Sequence, residues 1–409
     1  MKNRASIKKG ALYVSISSLL FVSWAVYSRS NTNTDPAYTS NRTSAPIVVH
    51  HASPAAAPVV SGKKKIKIAL LLDTSGSMDG LIDQARAQLW KLVNELTLAK
   101  CNNEKPELEI ALYEYGNDGL PSSEGYIRQI SMFTHDLDLI SEQLFSLKTN
   151  GGSEFCGQVI ATATKQLDWQ ANSQDLQLIF IAGNEEFTQG AVKYTESCLK
   201  AKEKDIVVNT IFCGDYSTGL STGWKNGAIL TNGSYMNIEQ DKKTVYIETP
   251  YDNEIAQLND KLNATYINYG SIGYEKKANQ LKQDKNAETY GAANTTNRVV
   301  SKASSFYSNS TWDLVDASKE KDFDIAKIKE NELPDELKGK TKEQKQQYVA
   351  DKTKERQEII KQIQLLNEKR TVYIAEKSKT MGTNDQSLDA AMIKAIREQA
   401  AKKNFVFDI

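Results

Sequence analysis

Residues 66–80 read Ile-Lys-Ile-Ala-Leu-Leu-Leu-Asp-Thr-Ser-Gly-Ser-Met-Asp-Gly, an apolar run that stops abruptly in small, oxygen-bearing side chains. The run has the length of a strand and is too short for a helix, so Asp73, Ser75 and Ser77 are expected at the C-terminal tip of a buried strand. Open parallel sheets bind ligands at that edge. One carboxylate and two hydroxyls, with no His or Cys nearby, are hard donors suited to Mg²⁺ or Mn²⁺ rather than to zinc or copper.

Working outward, short β-type runs alternate with helical ones as far as about Glu239. Strands are expected at 66–72, 108–115, 125–133, 176–182, 206–213 and 234–238. Leu81, Ile82, Ala85, Leu89, Leu92, Val93 and Leu96 recur at helical spacing, and further helices are expected over 136–148, 157–169, 190–204 and 222–231. Strand–helix alternation of this kind makes a mostly parallel sheet covered on both faces. The one break is the direct passage through Gly116-Asn117-Asp118-Gly119, which predicts an antiparallel third strand.

With its strand, its Asp73-x-Ser75-x-Ser77 and this alternation, the segment resembles the von Willebrand factor type A domain and its metal-ion-dependent adhesion site. The resemblance implies an α/β, Rossmann-like, doubly wound and mostly parallel six-stranded sheet, here followed by a mainly α-helical C-terminal region. It also implies a second element, a hydroxyl after a Gly-Gly loop, matched by Thr149-Asn150-Gly151-Gly152-Ser153 with Ser153 in the hydroxyl position. The third element departs from the pattern. The fourth strand ends Ile181-Ala182-Gly183-Asn184-Glu185-Glu186, where the family shows Thr-Asp-Gly. The missing aspartate makes the site degenerate and leaves Asn184 or Glu185 as its replacement. Losing or displacing a charge lowers affinity for a divalent ion. A metal-bearing face and a metal-free one both remain open at this point. In the metal-bearing case the resemblance implies direct binding by the two serines, Asp73 acting through water, and a partner's carboxylate completing the octahedron.

At the N-terminus, Lys2, Arg4, Lys8 and Lys9 precede an apolar stretch from Ala11 to Tyr27, the pattern of an export signal. Its length lies between that of a cleaved signal peptide and that of a membrane anchor, and either places the rest of the chain outside the cytoplasm, periplasmic or extracellular. The chain then divides into a signal or anchor (1–28), a Ser/Thr/Asn/Pro/Ala-rich linker (29–62), the α/β domain (63–240) and the helical region (241–409). In the last of these, Thr341 and Gln344 form a capping box for a helix reaching about Lys377. Its intermittent apolar stripe, interrupted by Lys352, Arg356 and Arg370, fits a coiled-coil seam or an intramolecular bundle with Leu388, Met392, Ile393 and Ile396. Tyr266-Ile-Asn-Tyr-Gly270 and Trp312-Asp313-Leu314 match no chemical template.

Lysine plus arginine and aspartate plus glutamate are equal at 51 each, so no basic excess points to nucleic acid. Of the three histidines, His50 and His51 lie in the linker, and His135 alone does not make a hydrolytic triad. Four cysteines in an exported chain allow two disulfides. Cys156 and Cys213 are both expected at the C-terminal edge of the sheet, and the choice lies between a bridge joining them and buried free thiols. The expected function is a non-enzymatic binding module with a protein partner, tethered to a membrane if the N-terminal segment is retained. The alternatives are a metal-free envelope scaffold and an envelope-processing enzyme acting through its C-terminal region.

Overall fold

A computed structural model describes residues 63–169, 174–239, 246–381 and 388–407; the expected signal or anchor and the linker lie outside the described residues. The opening run forms β1 (Lys65–Asp73), followed by α1 (Asp79–Leu96), the short β2 (Ala99–Cys101), β3 (Glu107–Tyr115), β4 (Ile127–Thr134), α2 (Leu137–Ser146) and α3 (Cys156–Gln166). Then come β5 (Leu176–Gly183), α4 (Tyr194–Glu203), β6 (Val207–Cys213), α5 (Tyr216–Ser221), α6 (Trp224–Leu230) and β7 (Tyr235–Ile238). The remainder is α7 (Asp252–Asn263), α8 (Gly273–Thr289), α9 (Ala292–Lys302), α10 (Leu314–Ala317), α11 (Lys342–Met381), α12 (Leu388–Ala401) and β8 (Phe405–Phe407).

The six-stranded sheet has the order β4-β3-β1-β5-β6-β7, with β4 alone antiparallel to its neighbour. The antiparallel reading of Gly116-Asn117-Asp118-Gly119 is borne out, but the connection runs to Tyr126 rather than closing as a tight hairpin. β1 lies between β3 and β5 with both faces covered, and its sequence from Ile66 to Leu72 is apolar apart from Lys67, which is buried and paired with Glu109. The period of two divides its residues. Ile66, Ile68, Leu70 and Leu72 face the core shared with α1, α2 and α12, while Ala69 and Leu71 face α3, α4 and α6.

The helical region packs on the first of these faces. α9 lies against α1, α7 against α9, and α8 against α2. The chain then returns to the sheet. α12 packs on α1, β5 and β7, with Gln84 and Gln88 of α1 accepting from the Leu388 and Asp389 backbone N–H groups at 3.2 and 2.8 Å, and β8 pairs with β2. Among the described residues no helix is long and apolar enough to cross a membrane.

The capping box closes as read. The Thr341 N–H donates to Gln344 Oε1 at 3.0 Å and the Gln344 N–H to Thr341 Oγ1 at 3.3 Å. α11 packs within the chain, on α7, α9 and α10, and the arginines that interrupt its stripe are buried contacts. Arg356 pairs with Asp313 at 2.7 Å and lies 3.9 Å above the Tyr266 ring, which stacks on Trp312. Asp313 also accepts from the Ile267 N–H at 2.7 Å. The two unmatched motifs are therefore parts of one structural joint.

The Cys156–Cys213 bridge does not form. All four cysteines are free and buried, and Cys156 and Cys213 belong to cores on opposite faces of the sheet, with the strands between them. Proximity along one sheet edge did not reveal the face.

Candidate functional site

The connection after β1 leads to β3 on one side, while β5 lies on the other, so a crevice opens at the C-terminal edge where the strand order reverses. Asp73 ends β1 there with no exposure to solvent. Its Oδ1 accepts the Ser75 N–H at 2.7 Å, and its Oδ2 is buried without a hydrogen-bond partner. The turn that begins α1 brings Ser75 Oγ to 3.4 Å from Ser77 Oγ, and Asn184 Nδ2 donates to Ser77 Oγ at 3.0 Å.

The Gly-Gly loop docks against these residues. The Asn150 N–H donates to the Thr74 carbonyl at 3.0 Å, and the Asp118 N–H to the Gly151 carbonyl at 2.6 Å. A Cβ on Gly152 would lie 2.3 Å from the Gly116 carbonyl oxygen, so only glycine permits this approach. Thr149 hydrogen-bonds Asp79 in the first turn of α1. Ser153 follows in the same loop, half-buried.

The structure thus brings Asp73, Ser75, Ser77 and Asn184 together, with Ser153 on the adjoining loop. The Glu185 carboxylate does not join this group, although its charge acts on Glu154. The Glu185 side chain is exposed and accepts from Gln189 Nε2 at 3.3 Å, while its backbone carbonyl accepts from Trp224 Nε1 at 2.7 Å.

Sequence reasoning missed Glu154. It follows Ser153, is 4% exposed, and has a buried Oε2 with no partner. The Asp73 and Glu154 side chains are neighbours across Gly116, where an added Cβ would meet Asp73 Oδ1 and Glu154 Cγ, each at 2.7 Å. Burial, together with the Glu154 charge, pushes the Asp73 carboxyl well up, and burial pushes Glu154 up as well. An acid directly between a Gly-Gly-Ser loop and a helix was the available signal, but it reads equally as an acidic helix start.

The donor set suits a hard divalent ion. Two carboxylates and serine hydroxyls converge, and the nearby Cys156 and Cys213 thiols are pushed far up by burial, which keeps them out of the thiolate form. Among the described residues no three His, Cys, Asp or Glu side chains form a metal-binding group. Histidine chemistry is remote. His135 follows β4 at the opposite edge of the sheet, bonded to the Leu108 carbonyl at 2.8 Å and 3.4 Å from Glu109.

Residues 67–261 match the family model of the von Willebrand factor type A domain, and this part of the chain has the fold of that family, whose members often mediate protein–protein interaction or adhesion. Solved structures similar to it include BatB from Bacteroides thetaiotaomicron, at 17% identity over 42% of this chain and 90% of that one, with a TM-score of 0.33. The SpRpn10 VWA domain is 16% identical over 42% of this chain and 87% of that one, with a TM-score of 0.32. Proximal thread matrix protein 1 from the mussel byssus, with a zinc-occupied metal-ion-dependent adhesion motif, is 10% identical over 44% of this chain and 43% of that one, with a TM-score of 0.32. A search of curated proteins found no match.

Proposed function

We propose that this chain is an exported, non-enzymatic binding protein whose type A domain captures a protein partner at the C-terminal edge of its sheet, with Mg²⁺ or Mn²⁺ held there. The observation that carries the reading is Asp73. A carboxylate with no solvent exposure and one oxygen unpartnered is costly to bury, and a bound cation removes the cost. Asp73, Ser75, Ser77 and Ser153 would hold the ion, whose chemistry is to accept one further oxygen donor, a carboxylate of the partner. The chain's own part is to orient Ser77 through Asn184 and to fold the Gly-Gly loop onto the strand tip.

Export is proposed from the basic residues and apolar run at the N-terminus, with retention of that segment anchoring the protein to the membrane. Alkaline phosphatase fused after Ser61 should be active, and an inactive fusion beside an active cytoplasmic reporter rejects the topology. For the site, calorimetry of wild type and Asp73→Ala with Mg²⁺ and Mn²⁺ is the test, alongside partner capture with and without chelator. Heat from wild type alone, and capture lost with chelator, support the reading. No heat at millimolar ion, with capture indifferent to chelator, favours the second reading, a metal-free scaffold. That alternative draws on Asn184, an uncharged residue where the family carries an aspartate.

A further inference from the structure

We propose that Glu154 is the second anionic ligand of this metal site and carries the charge that Asn184 lacks, an inference that rests on the metal-binding reading above. Asp73 and Glu154 are 0% and 4% exposed, each has one buried oxygen without a partner, and no lysine, arginine or histidine among the described residues is paired with either. Two buried carboxylates side by side repel each other unless a cation lies between them or a proton is taken up.

The backbone around them is kept bare to allow the encounter. Gly116 sits at φ +78°, and a Cβ there would come within 2.7 Å of both Asp73 Oδ1 and Glu154 Cγ. A Cβ on Gly183 would come within 3.0 Å of Asp73 Oδ2. The other candidates do not bring a charge into the crevice. Asn184 donates its amide N–H to Ser77 and leaves its buried Oδ1 open as a neutral oxygen only, and the exposed Glu185 carboxylate is held by Gln189. With Asp73 and Glu154 both ionised, a divalent ion is neutralised by the protein alone, so it binds before any partner arrives.

The test uses the full-length protein with Mn²⁺ as the probe, read by calorimetry, by the Mn²⁺ paramagnetic resonance signal and by thermal unfolding in chelator. Glu154→Gln should weaken Mn²⁺ binding at least tenfold, raise the unfolding temperature of the metal-free protein and abolish its upward shift with Mn²⁺. Glu185→Gln should leave Mn²⁺ binding intact. Asn184→Asp in the Glu154→Gln background should recover Mn²⁺ binding by returning the charge to the strand end. If wild type binds Mn²⁺ and Glu154→Gln binds it equally, the assignment is wrong while the metal site stands. If wild type binds none at millimolar concentration, both readings fail. Lost binding with a lowered metal-free unfolding temperature, and no recovery with Asn184→Asp, would make Glu154 a structural residue and overturn the proposal.

Discussion

Two groups of buried acids, one at the joint with the helical region and one at the edge of the sheet, are solved in opposite ways. Where the helical region meets α1 and α2, Asp138 and Asp284 face Arg298 and Lys302, with ion pairs of 2.6, 2.9 and 2.8 Å. Arg298 also stacks 4.3 Å above Trp90, and Asn259 donates to Asp284 at 3.0 Å. Burial pushes the Asp138 carboxyl up even beside Arg298, but despite its own burial Asp284 is held well below the usual carboxylate range by Lys302 and Arg298 together. At the sheet edge, Asp73 and Glu154 are equally buried, have no such cations, and are pushed upward. Balanced charge marks a joint that holds the fold together. Unbalanced buried charge at a crevice is the feature on which the proposed metal site rests.

The largest expected effect tests the balanced side. Asp284→Ala leaves Arg298 and Lys302 buried without their shared anion, which should cost about 3–5 kcal/mol in urea unfolding. A loss below about 1 kcal/mol, the size typical of exposed pairs, would end the contrast.

Arg356 extends the balanced design to α11. Arg356→Lys keeps the charge but loses the forked pairing with Asp313 and the flat contact with Tyr266, an expected loss of about 2 kcal/mol. Equal stability of the two proteins would show that charge alone holds this joint.

Asp73→Asn probes the unbalanced side. In chelator it should leave stability unchanged or raise it by up to about 1 kcal/mol, because it removes one of two repelling carboxylates. A cost matching that of Asp284→Ala would mean that Asp73 serves the fold.

The smallest effect lies at the remote edge of the sheet. The hydrogen bond from His135, with Lys65 and Lys67 nearby, holds Glu109 down at about 2, and Glu109 raises His135 above 6.5. The Glu109 contribution is complete above its ordinary 4.5 and fades as pH falls through about 2. The His135 contribution is complete below 6.5 and is lost as pH rises through its raised value. Solvent screening of the exposed imidazole keeps that contribution below about 1 kcal/mol. An NMR titration of His135 giving a midpoint at or below 6.5 would remove this pairing.

Local signals in the sequence carried far because their causes are local. The mainly apolar run from Ile66 to Leu72 has one stable use, the centre of a covered sheet, and it delivers Asp73 to the edge. The Thr341 and Gln344 cap closes within one turn of helix, so three residues of spacing sufficed to find it. Alternation of strands and helices predicted the sheet, and Gly151-Gly152 the tight loop against β1.

What crosses the fold was decided only in three dimensions. Glu154 becomes a neighbour of Asp73 because the loop before α3 docks on the tip of β1, a pairing that separation along the chain conceals. Arg356 looks like a break in an apolar stripe until Asp313 and Tyr266, brought in from distant turns, give it a buried place. Cys156 and Cys213 share an edge of the sheet, but the side to which each points depends on packing, and the strands keep them apart. Sequence alone determined the six strands of the main sheet, the long capped helix and the strand-end position of the first carboxylate, since propensity, spacing and caps act within a few residues. Which buried charges are balanced and which are left open depends on long-range packing, because electrostatic compensation requires atoms in close contact that lie far apart along the chain, as Arg298 and Asp138 do.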